Sequence, residues 1–287
     1  MKLNSIFIFI FFSLLVLTGG TTNIHSPSVK VICLYRMISK PDSTSKTTWE
    51  ELTQLAISDS SSEFRSFVRY KGDSLLVKYG HLPVNSPAAN EGMNAVTNLP
   101  RYNLKGVIIN DLKAHNCFYY GMIDKVLYYY KDNDYPVTWQ MSSDTARVNG
   151  YKCQKAFTKF GGRKYTAWFT RQIPISNGPY VFGGLPGLIV SISDATNSYK
   201  FELTRIYQPK ENYHIILPGN IIYFKQSGKS VSKREYYRSY YDYQENFIDK
   251  SLASGMTKFN DEDGFRQSYK EKMKHRNNPI ELDYKKP

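Results

Sequence analysis

The sequence predicts a β-rich, α+β chain: a curved antiparallel meander sheet, closing at most into a half-barrel, with one long C-terminal helix packed on it. Three observations point there. Short runs with apolar residues at period two follow one another with turn residues between them. Aromatic side chains, which suit strands, are abundant, with 24 Tyr and 16 Phe. Only one stretch carries both a helix start signal and a long aromatic face at helical spacing.

In order along the chain, Val29, Val31, Cys33, Tyr35 and Met37 share one face of a first strand over Val29 to Ile38. Trp49 to Ile57 reads as a second strand, although its apolar spacing also fits a short helix, and Ser58 to Ser62 breaks the pattern. Residues 80 to 103 mix Gly, Pro and Asn densely and read as a long surface excursion or lid. Strand runs then come quickly at Val107–Ile109, Cys117–Tyr120, Val126–Tyr130 and Val137–Met141. Tyr151 to Phe160 should turn at Gly161-Gly162 into Arg163 to Thr170, since two glycines permit the positive φ values of a primed hairpin turn. In that register Phe157 faces Thr166, Lys155 faces Trp168, and Cys153 faces Thr170. A second hairpin joins Leu188–Ile192 to Tyr199–Ile206. Ser232 and Glu235 have capping-box spacing, and Tyr236, Tyr240, Tyr243 and Phe247 follow on one face as far as Gly255, a C-terminal cap residue.

Residues 1–22 read as a secretory signal peptide: Lys2, then an apolar run from Ile6 to Leu17, then small and polar residues. The apolar run is too short to span a bilayer, which takes roughly 20 residues. No cysteine follows it closely, so a lipoprotein attachment site is not expected. Residues 23–287 then form a single domain, exported to the periplasm or associated with the outer membrane. The chain is basic, with a formal net charge of +13, and its mean hydropathy is −0.47. Such a charge draws anionic partners at long range, phospholipid head groups and acidic polysaccharide among them; a solvated basic surface is the plainer explanation, and nucleic acid is not the expected partner.

Little points to catalysis. None of the five histidines pairs at i, i+4 or lies beside a cysteine pair, so no metal site is expected. No nucleophile elbow, Walker loop or His-Glu-x-x-His run occurs, and no cofactor is expected. Asp261-Glu262-Asp263-Gly264 lacks the flanking acidic ligands of a calcium loop, with Phe259 and Lys270 in their places, and reads as a solvated acidic turn. Cys33, Cys117 and Cys153 read first as core residues; one disulfide among them has three pairings that sequence does not rank.

The segment that stands out is Gly178-Pro179-Tyr180-Val181-Phe182-Gly183-Gly184-Leu185-Pro186-Gly187-Leu188-Ile189, a tightly turning corner that leads into a buried strand. Before it come Trp139, the run Gly150 to Ala156, Gly162-Arg163, Tyr165 to Thr170 and Ile173-Pro174; far behind it comes Asn277-Asn278-Pro279-Ile280-Glu281-Leu282. In this set and order the chain resembles the GLPGLI family of exported, Bacteroidetes-type envelope proteins over about residues 29 to 283. The resemblance implies an exported envelope protein without an established activity, so no catalytic residue is carried over.

The expected function is therefore non-catalytic binding or interaction, with an envelope protein or an apolar or anionic envelope ligand as partner and peripheral membrane contact allowed. A lipoprotein-carrier-like role, with an apolar ligand held between sheet and helix, is the nearest alternative, and an unrecognised enzyme the more distant one. The residues singled out for binding are Trp168, Pro179, Gly184, Leu185, Pro186 and Gly187.

Overall fold

Alternation of apolar residues does build strands here, and the strands form one sheet. The computed structural model describes residues 28–209, 213, 215, 228–255 and 260–284; the signal peptide of the sequence reading and His25, His214 and Phe259 lie outside them. Six strands follow in chain order: β1 (Val31–Ser39), β2 (Trp49–Ile57), β3 (Ser61–Ser66), β4 (Val107–Asp111), β5 (Asn116–Ile123) and β6 (Val126–Lys131). Five more follow: β7 (Gln140–Val148), β8 (Tyr151–Phe160), β9 (Arg163–Thr170), β10 (Leu188–Asp194) and β11 (Tyr199–Tyr207). A two-residue β12 (Lys229–Ser230) completes a 12-stranded sheet in the order β12-β6-β5-β4-β3-β2-β1-β11-β10-β9-β8-β7. All neighbours are antiparallel except β12, which runs parallel to β6. The expected meander is thus two meanders, β1–β6 and β7–β11, joined by the pairing of β1 with β11. Trp49–Ile57 is the strand and not the short helix.

The sheet is mixed and not closed into a barrel, yet it cannot be flat. In the strand order β6 and β7 lie ten positions apart, which is about 48 Å on a flat sheet. The chain from Lys131 to Gln140 reaches at most about 30 Å, so the sheet must curl and bring its two ends toward each other. Curling turns one face of every long strand onto a common core. Tyr35, Leu55, Phe64, Ile108, Ile192, Ala167 and Phe201 are all buried there in one cluster.

Helices cover what the sheet leaves. α1 (Phe67–Tyr79) and α2 (Pro87–Thr97) precede β4. Much of the expected 80–103 excursion is therefore a capped helix: Ser86 Oγ accepts from the Ala89 amide at 3.2 Å, and Pro87 sits at a first-turn position where its missing N–H costs nothing. α3 (Lys233–Glu245) begins with the expected capping box between Ser232 and Glu235. The run does not continue as one helix. Asn246 leaves helical geometry, its side-chain amide donates to the Asp242 carbonyl at 3.0 Å, and α4 (Phe247–Ala253) starts afresh. A short polar side chain that bonds the backbone locally competes with the helix in this way. α5 (Glu262–Lys274) was unforeseen; its N-cap is Asp261, which accepts from the Gly264 amide, so the acidic turn is a helix start.

The Gly161-Gly162 hairpin has the expected register, Lys155 opposite Trp168 and Phe157 opposite Thr166. All three cysteines are buried and free. Cys33 on β1 is four strand positions from both β5 and β8, so neither Cys117 nor Cys153 is its neighbour in the sheet. Burial pushes its thiol up to about 12, so it is not a thiolate at neutral pH.

Two glycines of the corner separate sterics from backbone strain. Gly187 has φ +150°, and a Cβ there would overlap the Thr170 carbonyl oxygen; Gly184 has φ +89° with open space around its missing Cβ. Gly184→Ala should therefore cost only its strained backbone, about 1 kcal/mol. Gly187→Ala should cost about 3 kcal/mol or more, because the chain at Thr170 must also move. Urea unfolding of both variants measures the difference; equal costs would mean that the corner is not held against β9.

Candidate functional site

Three neighbouring structures arise from the stretch that the sequence marks: a filled concavity, a buried charge cluster, and an exposed basic face. The first is built by the corner between β9 and β10. Tyr180, Val181, Phe182 and Leu185 are buried and lie on the inner face of the sheet. The Phe182 ring centroid lies 4.6 Å from that of Tyr165, 5.8 Å from Phe160 and 6.3 Å from Trp139. Burying a side chain of this size contributes about 2 to 3 kcal/mol before the ring pairings are added. Trp139 Nε1 donates to the Gly183 carbonyl at 2.7 Å, and Tyr35 donates its hydroxyl proton to the Ile189 carbonyl at 2.8 Å. The corner therefore plugs the curl of the sheet, and α3 continues the cover. Its Tyr236 meets Tyr119 at 5.3 Å and Tyr130 at 5.4 Å, and a Cβ at Gly121 would overlap the Tyr236 hydroxyl.

The second structure ties the Asn277–Leu282 segment inside. Arg163 on β9 donates to Asp194 at 3.0 Å, to Asn278 Oδ1 at 2.5 Å, and to the carbonyls of Pro279 and Ile280 at 2.6 and 3.0 Å. Its guanidinium lies 5.0 Å from the Tyr199 ring centroid, and Tyr199 donates to the Asn278 carbonyl. Asn278 in turn donates through Nδ2 to the Lys40 carbonyl, while its backbone amide bonds the Pro41 carbonyl. Three residues on, Glu281 accepts from the Tyr180 hydroxyl at 2.5 Å and pairs with Lys233 of α3 at 2.7 Å. Lys233 also pairs with Asp132 at 2.9 Å. Burial by itself would lower the Lys233 pKa, but Glu281 and Asp132 more than offset it, and the ammonium is held well above its ordinary value. Lys, Glu, Asp and Tyr converge here as they would in an active site. Glu281 and Tyr180 are each 1% exposed, however, and the Lys233 side chain 7%. The cluster is a sealed clamp between β6, the corner, α3 and the C-terminal segment.

The third structure is the outer surface of β7, β8 and β9. Lys155, Lys159 and Lys164 stand there with Trp168 and Phe157, while Arg147, Lys152 and Arg171 stand on the opposite side, the side of Phe169; Asp144 is the single carboxylate of these three strands. Only Lys155 is paired, with Asp144 at 2.7 Å; the other five have no ion pair among the described residues. Lys155 Nζ also sits 5.1 Å from the Trp168 ring centroid, so the cross-strand cation–π pair exists alongside the ion pair. Trp168 is half-buried, and Phe157 beside it is 39% exposed. Two open grooves lie on these strands, one on each side of the sheet. One of about 550 Å³ is lined by Arg147, Lys152, Gln154, Arg171 and Gln172, with Phe169 below; one of about 660 Å³ is lined by Trp139, Phe157, Lys159 and Lys164.

The six residues singled out from the sequence do not fall together. Pro179, Leu185 and Gly187 are buried in the plug, Gly184 and Pro186 are exposed on its turns, and Trp168 belongs to the outer face. Arg163 and Glu281 appear in the sequence only as parts of motifs. Their role as hubs has no local signal, because their partners lie 31 to 117 residues away. Among the described residues there is no group of three or more His, Cys, Asp or Glu arranged to hold a metal, and no helix long and apolar enough to cross a membrane.

Residues 161–191, which comprise β9, the plug and the start of β10, match the model of a family described as a protein of unknown function, Porph_ging. This agrees with the resemblance carried by Gly184–Ile189. No curated protein matches the chain. Two structures of PNGF-II, in the C2 and P21 space groups, are similar at 12% identity and a TM-score of 0.49 over 76% of this chain and 34% of that chain. The chain thus spans about a third of PNGF-II, and a likeness at this level carries no argument about function.

Lys233→Met should destabilise the protein by about 3 to 5 kcal/mol, since it leaves Asp132 and Glu281 buried without their cation. The sign with pH follows from the raised lysine pKa. The contribution is complete below the ordinary lysine value of 10.5 and is lost as pH climbs through the higher folded value. Denaturant unfolding of wild type and variant should therefore show a constant gap from pH 7 to 9; a gap that closes within that range would mean that Lys233 is neutral in the fold.

Proposed function

We propose that this protein is an exported, non-catalytic envelope protein of the GLPGLI type that docks an anionic partner on the basic β7–β9 end of the sheet. The observation that carries the reading is the set of five unpaired cations on these strands: Lys159 and Lys164 beside Phe157 on the outer face, and Arg147, Lys152 and Arg171 together on the other side. A protein that pairs Arg163, Lys233 and Arg65 in its interior leaves these five without a carboxylate at one end of its sheet. Clustered charge of one sign raises the encounter rate with an oppositely charged partner, and half-buried aromatic rings next to it supply contact area.

The carrier reading is weaker, because the plug fills the concavity in which an apolar ligand would lie. The enzyme reading is weaker still: the convergent ionisable groups around Lys233 are sealed from solvent, and the carboxylate of β7–β9, Asp144, is tied to Lys155.

A photo-reactive phenylalanine analogue at Phe157, in the intact protein in its own cells, should form one discrete adduct that Lys159→Glu with Lys164→Glu diminishes at least tenfold. The same probe at Met93, exposed on α2, should give none. An adduct at Met93 alone, or a charge-insensitive adduct at 157, overturns the docking face. A lipid that accompanies the native protein into the mass spectrometer would restore the carrier reading.

A further inference from the structure

The basic β7–β9 end of the sheet stops at a strand edge that is open, and the geometry of that edge and of the groove on its Phe169 side narrows what the partner is. β7 pairs with β8 alone, while at the other end of the sheet β6 is covered by β12. Most of β7 is exposed. Its phase is set by the hairpin turn: Val148 and Tyr151 close a two-residue loop in which Asn149 and Gly150 have φ +47° and +86°. In such a loop the closing pair exchanges both backbone hydrogen bonds, and along an antiparallel ladder bonded and non-bonded pairs alternate. Val148 and Ala146 therefore bond inward to β8, while Arg147 and Thr145 direct their N–H and C=O groups away from it. An independent contact agrees. Lys152, opposite Arg147, donates its N–H to Gln172 Oε1 at 2.9 Å and accepts on its carbonyl from the Thr170 hydroxyl at 2.8 Å, both on the β9 side.

The other half of β7 is closed to a new strand. Met141 pairs with Ala156 and Thr145 with Gln154, so Ser142, Ser143 and Asp144 all bulge opposite Lys155. Bulges of this kind stop edge-to-edge pairing. What remains is a short edge, Thr145 to Val148, beside the groove of Arg147, Lys152 and Arg171. The Arg147 guanidinium spends one donor on the Gly150 carbonyl at 3.0 Å and keeps the rest; the groove has no carboxylate.

We infer that this edge accepts an extended acidic peptide segment of a partner protein as a thirteenth strand, with its Asp or Glu side chains in the Arg147–Lys152–Arg171 groove. The inference rests on the docking end proposed above and adds its occupant. Backbone donors and acceptors at Thr145 and Arg147 suit a peptide, which brings a matching row. Arginine forks suit carboxylates. An acidic polysaccharide has no such row and gains from stacking on exposed rings, whereas the one ring at this groove, Phe169, is fully buried. A second copy of this chain would set Arg147 and Lys152 against the same cations.

The test is binding of three labelled probes to the intact protein, read by fluorescence anisotropy: a ten-residue peptide of alternating Glu and Val, its Lys–Val counterpart, and an oligogalacturonate of equal charge. The Glu–Val peptide should bind, and the other two at least tenfold more weakly. Arg147→Gln with Arg171→Gln should weaken it at least tenfold. Thr145→Pro should do the same, since it removes an outward N–H and no bond to β8; unchanged circular dichroism shows that the fold is kept. If Thr145→Pro unfolds the protein, Arg147→Pro, at the other outward N–H, replaces it. Equal binding of the oligogalacturonate, or no peptide binding, overturns the inference, as does indifference to the proline. A Phe157 adduct that persists in Thr145→Pro would overturn this occupant and leave the docking face standing.

Discussion

The pairing of β1 with β11 is the contact on which the rest depends. It runs from Ile32 opposite Tyr207 to Ser39 opposite Tyr199, and it makes one sheet of two meanders. Without it, the 132–139 connection would tie together two small sheets with no shared inner face. With it, the same short connection forces the continuous sheet to curl, and the curl creates the concavity that the plug fills. Phe64 of the first meander then meets Phe201 of the second at 5.9 Å, next to the joining strands. The aromatic excess of the sequence is spent on this inner surface and on the α3 stripe that extends it.

Charge is distributed by the same logic. A buried cation costs several kcal/mol unless carboxylates and carbonyls surround it, and the protein meets that cost in three places. Arg163 and Lys233 hold the Asn278–Glu281 segment, and Arg65 binds Glu63 and Asp73 beneath α1. These clusters hold Glu63, Asp73, Asp194, Asp132 and Glu281 in the interior. The β7–β9 end of the sheet carries cations on both sides and Asp144 as its single carboxylate, and this asymmetry is what gives that end its character.

Local pattern carried the sequence reading as far as local pattern reaches. Period two, turn glycines and the Ser232–Glu235 cap gave strands, the Gly161-Gly162 hairpin register and the start of α3. α1 stayed hidden because the residues it buries are Arg69, Gly72 and Asp73, not an apolar stripe. Its sheet-facing side answers a buried arginine, and such a helix has no amphipathic signature. The division of the glycine-rich motif into buried Pro179, Leu185 and Gly187 and exposed Gly184 and Pro186 was equally out of reach, since it depends on which side of the curl the corner enters. Trp168 and Lys155 were placed opposite each other from the turn alone, but the imbalance of charge around them needed the whole sheet.

The contact between Asn278 and Lys40 spans 238 residues. Contacts so distant in sequence are late to form, because a long loop must close before they return any energy. Until β11 arrives, the first meander carries a bare β1 edge whose residues include Ile32, Cys33, Leu34 and Tyr35. A chain still being made presents that edge to its surroundings until its second half is complete. Aggregation through an open edge is the hazard of a sheet whose central seam is sewn from its two distant halves.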